Sequence, residues 1–241
     1  MAENSSIARP EAAAPVVEAV EDAGIAGVVS PSVGKHRRAA AKPLQRALKN
    51  VMDFVGALVI LALLSPALLL IAICVKLDDG GPVFYRRRVV GRRGEFDAFK
   101  FRTMVTNAEA VLNADTVLRR QYERNFKLKN DPRVTRTGAW LRKYSLDELP
   151  QLFNVVRGQM SLVGPRMCTP EELKRYGRCG ELVLSVRPGI TGYWQVNGRQ
   201  TVSFDEHVAM DAFYVKNWSL KMDLGILLKT PRIVISGDGA Y

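Results

Sequence analysis

Phe54-Val55-Gly56-Ala57-Leu58-Val59-Ile60-Leu61-Ala62-Leu63-Leu64-Ser65-Pro66-Ala67-Leu68-Leu69-Leu70-Ile71-Ala72-Ile73-Cys74-Val75 is a run of 22 residues without a charge. As a helix it extends about 33 Å, enough to cross the hydrocarbon core of a bilayer. It starts too late and runs too long for a signal peptide, and no cleavage pattern follows it. Ser65-Pro66 sits near its middle, where proline removes a backbone donor and crowds the preceding turn. Both flanks are basic: Lys35, Arg37, Arg38, Lys42, Arg46 and Lys49 before it, Lys76, Arg86, Arg87, Arg88, Arg92 and Arg93 after it. A simple span calls for asymmetry between its flanks, and here both favour the cytoplasmic side. A re-entrant hairpin bent at Ser65 and Pro66 satisfies both; a Pro-kinked spanning helix is the alternative.

Working outward, residues 1–34 combine Ala, Val, Glu, Pro and Ser without a sustained helical stripe and are expected to form a disordered tail. A basic segment and the membrane helix fill 35–79, a cytoplasmic domain 80–235, and a short tail 236–241. The chain carries a net charge of +11 and is 47% hydrophobic. It therefore folds and seeks anionic partners, which charge alone cannot identify. Cys74, Cys168 and Cys179 lack CxxC spacing, and His36 and His207 are the only histidines. A disulfide scaffold, a zinc site and a Ser-His-Asp triad are correspondingly disfavoured.

In the domain, Val83–Val89 and Glu95–Phe101 read as strands joined at Gly91-Arg92-Arg93-Gly94. Residues 106–126 have the spacing of one amphipathic helix. Asn130-Asp131-Pro132 marks a turn, 138–158 is helical with an interruption near Tyr144–Ser145, and 185–200 is a Gly- and Pro-rich loop. Asp205–Val215 and Leu220–Leu228 are helical. The expected fold is α/β and mostly helical: a re-entrant membrane helix, then a small catalytic domain with a short β-hairpin and amphipathic interface helices.

No Walker phosphate loop, GxGxxG fingerprint or Asp-Xaa-Asp pair is present. The densest polar cluster is Leu141-Arg142-Lys143-Tyr144-Ser145-Leu146-Asp147-Glu148-Leu149-Pro150-Gln151. Ser145-x-x-Glu148 has the form of a capping box. The same residues could do chemistry, with Asp147 attacking phosphorus and Glu148 holding Mg²⁺ against pyrophosphate oxygens, close to Arg142 and Lys143. Lys100 and Arg102 share one strand face, which is equally the pattern of a half-buried strand. Arg166, on the tight Gly164-Pro165 turn, suits bidentate phosphate binding or a solvated surface turn. Arg187, Gln195, Asn197 and Arg199 lie in a flexible aromatic and amide-rich stretch that suits a base or sugar, or a packed loop.

Lys100-Phe101-Arg102-Thr103-Met104, Ser145 to Gln151, Ser161-Leu162-Val163-Gly164-Pro165-Arg166, Arg187-Pro188-Gly189-Ile190-Thr191-Gly192 and Gln195-Val196-Asn197-Gly198-Arg199 together resemble the bacterial sugar transferases, the monotopic polyprenol-phosphate phosphoglycosyl transferases. The resemblance spans about residues 45–235. It implies a nucleophile–metal dyad at Asp147 and Glu148, with Mg²⁺ as cofactor. It puts phosphate-binding arginines at Arg142 and Arg166, the Lys-Phe-Arg strand at Lys100 and Arg102, and the helix break at Ser65 and Pro66. It further implies attack on the β-phosphorus of a UDP-sugar, release of UMP, and transfer of the phosphosugar to undecaprenyl phosphate. Met167 stands where many relatives have proline, and large relatives carry further spanning helices ahead of this core. The expected setting is the cytoplasmic face of a bacterial inner membrane, at the first membrane step of exopolysaccharide synthesis. A hexose is the expected sugar, and anionic lipid rather than nucleic acid is the expected contact; a homodimer stays open. Two rivals differ in kind. A membrane-anchored binder of nucleic acid or lipid leaves the Asp147-Glu148 cluster without a reason, and an ordinary glycosyltransferase releases UDP instead of UMP.

Overall fold

The structure is a computed structural model that describes residues 43–125, 128, 131–198 and 202–236. The tail expected over 1–34, residues 237–241 of the C-terminal tail, and Arg199 lie outside the described residues. Helix α1, Pro43–Asp79, contains the whole apolar run, and among the described residues it alone is long and apolar enough to cross a membrane. The helix continues through Pro66 without interruption, so the expected break is not a break in the helical backbone. Pro66 has no N–H for the carbonyl of Ala62, and Ser65 Oγ donates to that carbonyl instead, at 2.8 Å. The Ser-Pro pair thus replaces the bond it removes.

Both ends of α1 pack on the same domain. Toward its N-terminus, Ala57 joins a core with Leu152, Val155, Leu162 and Val163; toward its C-terminus, Ile71 and Val75 join Phe101 and Leu141. Between them Leu63, Leu69 and Leu70 stand 62–74% exposed. Polar bonds fasten each end. Lys49 Nζ lies 3.0 Å from Asp53 and 2.8 Å from Asp223, while Asp53 also accepts from Ser161 Oγ, the Leu162 N–H and Arg187. Asp223 further accepts from Tyr214 and Trp218, so these buried carboxylates are compensated. At the other end Arg102 pairs with Asp79 and donates to the carbonyl of Val75, and Thr137 donates to Asp78.

Strands β1, Phe84–Gly91, and β2, Gly94–Phe101, form the expected antiparallel hairpin, with Arg92-Arg93 as its turn and Gly94 at φ +107°. Val89, Phe96 and Ala98 face the main core. The single helix expected over 106–126 is two, α2 at Ala108–Ala114 and α3 at Thr116–Asn125. Asp115 explains the split: its carboxylate accepts from the N–H groups of Val117 and Leu118, capping a new helix instead of extending the old one. The helical stretch after residue 135 is interrupted where expected. Helix α4 spans Arg136–Lys143, a 3-10 turn covers Leu146–Glu148, and α5 spans Gln151–Val156.

Beyond these come β3, Ser161–Val163, then α6, Pro170–Arg175, and α7, Cys179–Leu184. The stretch 185–200, expected as a loop, holds β4, Gly189–Thr191, parallel to β3, and a short helix α8, Tyr193–Asn197. Helices α9, Phe204–Asn217, and α10, Leu220–Ser236, close the domain. Both outrun their expected limits, α10 passing through Pro231.

Candidate functional site

The site forms where α4 hands over to the 3-10 turn. Thr135 caps α4 by accepting from the N–H of Gly138. A Cβ on Gly138 would stand 2.1 Å from the carbonyl oxygen of Thr103, so only glycine lets α4 rest on the end of β2. That approach brings Arg142 Nε to 2.9 Å from Thr103 Oγ1. Ser145 then takes φ +53°, the one non-glycine residue with positive φ among those described. Such a conformation costs a serine roughly 1–2 kcal/mol, and strain of this kind gathers at functional sites. The expected capping box does not form. Ser145 makes no side-chain cap bond, and the Glu148 carboxylate reaches across to Lys100 Nζ at 2.5 Å. A charged partner on β2 outcompetes the local cap.

Lys100 Nζ also lies 3.7 Å from Asp147, and both carboxylates are largely withdrawn from solvent. Their environments differ. Burial pushes the Asp147 carboxyl up to about 6, against the pull of Lys100 and with the push of Glu148. For Glu148 burial works upward as well, but Lys100, Arg166 and Arg87 overcome it and hold the group below the usual carboxylate range. Arg142 is lowered by burial and supported by the charges of Asp147 and Asp131. Adjacent buried carboxylates that share one lysine, with shifted ionisation, are the kind of group found at sites of chemistry.

Arg166 follows the turn after β3 and bridges to Gly189 of β4. Its backbone N–H donates to Asp211 at 3.2 Å, and its guanidinium lies over the Trp194 ring at 5.5 Å. That ring rests 4.3 Å from the His207 ring, and His207 Nε2 lies 3.1 Å from Asp211. Asp211 is completely buried, and burial raises its carboxyl although His207 draws it down. Sequence inspection missed this support. Its one signal is His207 and Asp211 spaced four apart on α9.

The other expected residues stand elsewhere. Arg102 and Arg187 hold the two ends of α1 through Asp79 and Asp53. Gln195 donates to the carbonyl of Ile190, and Asn197 bonds the carbonyl of Tyr193 and Lys229. Lys100 therefore contacts both carboxylates, the charge of Arg142 acts on Asp147, and the charges of Arg166 and of a cation not anticipated, Arg87, act on Glu148. Among the described residues no group of three or more His, Cys, Asp or Glu side chains could hold a metal ion. Mg²⁺ needs only one or two carboxylates when substrate phosphates complete its shell, and Asp147 with Glu148 meets that requirement. Cations around a buried carboxylate pair suit a diphosphate ligand and in-line attack on phosphorus.

The model of the family described as bacterial sugar transferase matches residues 44–237. Over 206 residues the chain is 51% identical to the UDP-galactose-lipid carrier transferase of Erwinia amylovora, covering 83% of this chain and 43% of that one. It is 48% identical over 207 residues to the undecaprenyl-phosphate galactose phosphotransferase of Salmonella typhimurium, again 83% and 43%. It is 45% identical over 219 residues to the exopolysaccharide production protein ExoY of Rhizobium meliloti, with 88% of this chain and 96% of that one. The chain thus spans less than half the length of the first two relatives and nearly all of the third.

Proposed function

Because this chain belongs to the bacterial sugar transferase family, we propose that it transfers a sugar-1-phosphate from a UDP-sugar to undecaprenyl phosphate through a covalent intermediate on Asp147. The observation that carries this reading is the Asp147–Glu148 pair, sharing Lys100 and acted on by Arg142 and Arg166. Arg142 and Arg166 bind the diphosphate and orient it. At neutral pH a carboxyl near 6 is mostly ionised, so Asp147 attacks the β-phosphorus through a carboxylate oxygen. The bond from that phosphorus to the oxygen of UMP breaks, and UMP leaves with the electron pair. A phosphate oxygen of the lipid then attacks the same phosphorus, and Asp147 regains its carboxylate. Mg²⁺ bound by Asp147 and Glu148 would neutralise charge on the diphosphate oxygens.

The acceptor is a membrane lipid, which fits a site beside α1. Two packed ends with an exposed apolar middle support a re-entrant helix entering from the cytoplasmic face of the inner membrane. Leu224, Leu228 and Ile235 stand exposed on α10, which suits a helix lying in the interface, and the net charge of +11 favours anionic lipid. Relatives named for galactose transfer make UDP-galactose the first donor to try, and the third relative's name points to exopolysaccharide initiation.

The test gives purified protein UDP-galactose and Mg²⁺ without lipid acceptor. UMP should appear in a single turnover, the peptide containing Asp147 should gain the mass of a hexose phosphate, and EDTA should abolish both. Release of UDP in place of UMP would mean ordinary glycosyl transfer, and an active Asp147→Asn enzyme would return Asp147 to a structural role.

A further inference from the structure

Arg86-Arg87-Arg88 reads in the sequence as one basic patch, but the hairpin register divides it. Side chains directly opposite on paired strands share a face. Arg87 stands opposite Ala98, and Lys100 stands opposite Tyr85, so Arg87 and Lys100 occupy diagonal positions on one face. Arg86 and Arg88 take the other face. Arg86 lies over the Phe99 ring at 5.8 Å, and Arg88 pairs with Glu95 and Asp97 at 3.1 and 3.2 Å. Of the three, Arg87 alone shares the face from which Lys100 reaches Asp147 and Glu148.

Arg87 is also held in place. Its Nη2 donates to Glu172 Oε1 at 3.1 Å. The other oxygen of Glu172 accepts from the Thr169 N–H at 2.9 Å, within the capping box that starts α6. Glu172 is thereby fixed through the backbone, and it fixes Arg87. The Val90 N–H donates to the carbonyl of Cys168 at 2.9 Å, so the segment that carries Arg166 and leads to Glu172 runs along the strand that carries Arg87. The Arg87 side chain keeps 28% of its surface exposed, so a ligand can reach it. An ion pair this accessible adds little to stability, which leaves its placement unexplained by folding.

We propose that Arg87 is a further phosphate-binding residue, pre-oriented by Glu172 to hold a phosphoryl group beside Glu148 together with Arg166. The proposal rests on the phosphoglycosyl transfer reading above. The phosphoryl group belongs either to the nucleotide donor or to the lipid acceptor, and the two half-reactions separate them. An ammonium keeps the charge but not the planar fork that matches phosphate oxygens.

The experiment uses the full chain in detergent, with Arg87→Lys, Glu172→Gln and Arg166→Lys beside wild type. One arm measures UDP affinity by calorimetry and single-turnover UMP release. The other forms the phosphosugar enzyme, removes free donor, and chases with undecaprenyl phosphate. Arg87→Lys should lose about ten-fold or more in one arm with its melting temperature unchanged, and Glu172→Gln should lose less in the same arm. A deficit in UDP affinity assigns the phosphoryl group to the donor, and a deficit confined to the chase assigns it to the acceptor. Wild-type behaviour of Arg87→Lys in both arms, with Arg166→Lys impaired, overturns the proposal and leaves the transfer reading standing. If Arg166→Lys is also unimpaired, the phosphate site itself is wrong. Glu172→Gln leaves the Arg87 guanidinium present but removes the charged partner that orients it, so a loss in the same arm decides the matter should Arg87→Lys fail to fold.

Discussion

Asp147→Asn should abolish transfer and at the same time stabilise the protein. The Asp147 carboxyl stands near 6 against an ordinary 3.8, so the folded protein holds its proton more tightly than the unfolded chain. This residue is therefore neutral for stability well below pH 3.8 and becomes progressively unfavourable as the pH rises toward 6, levelling above that. At about 1.4 kcal/mol per pH unit, the separation costs the folded state about 3 kcal/mol at pH 7, and roughly half of that at pH 5. Asparagine has nearly the same shape and no charge to desolvate. At about 2–4 °C per kcal/mol for a domain of this size, the variant should melt roughly 6–12 °C higher at pH 7. The gain should shrink clearly at pH 5. Paired thermal melts of wild type and variant in one detergent, at both pH values, make the measurement. A variant that melts lower, or whose advantage ignores pH, would refute the claim that Asp147 is a carboxylate held charged against its surroundings for the sake of chemistry.

Arg166→Lys should lose about 2–5 kcal/mol of transition-state binding, read as roughly a 30-fold or greater fall in kcat/KM; a near-normal value would place Arg166 outside the site. Cysteines introduced near residue 50 and after Gly80 should label from the same side of the membrane, and labelling from opposite sides would exclude the re-entrant helix. Pro66→Ala should shift some molecules toward a spanning orientation in the same assay. Asp53→Asn leaves Lys49 and Arg187 short of a buried partner and should destabilise by about 3–5 kcal/mol, seen as a lower melting temperature; an unchanged melt would mean the network at that end of α1 is not holding it.

The parts of the fold that were legible in the sequence are those governed by local rules. The β1–β2 hairpin follows from a Gly-bounded turn between alternating strands, and the apolar run of α1 from composition alone. Asp115 was misjudged because its side chain can either sit within a helix or cap a new one, and apolar spacing does not distinguish the two. Ser145-x-x-Glu148 was misjudged for the opposite reason. Its local pattern is a good cap, but Lys100 is 48 residues away and wins Glu148 by charge. In the candidate site, the motifs drew attention to Lys100, Arg142, Asp147, Glu148 and Arg166, and the fold brings these together. The same motifs also suggested Arg102 and Arg187, whose partners Asp79 and Asp53 could be found only once α1 was docked. Arg87, Glu172 and Asp211 were not visible because their meaning depends on strand register and helix packing.

The network at the start of α1 sets an order of events during synthesis. Asp53 waits for Ser161, 108 residues later, and for Arg187, 134 residues later. At cellular rates of translation that delay is roughly 5–25 s. Throughout it the apolar helix is already made, while Lys49 and Asp53 have only each other. The apolar segment therefore exists before the domain that packs both its ends, with its own charges at its mouth. Lys49 and Asp53 can pair with each other through this interval, and Ser161, Arg187 and Asp223 join them only afterwards. The contacts that fasten the start of α1 are thus among the last the chain can make.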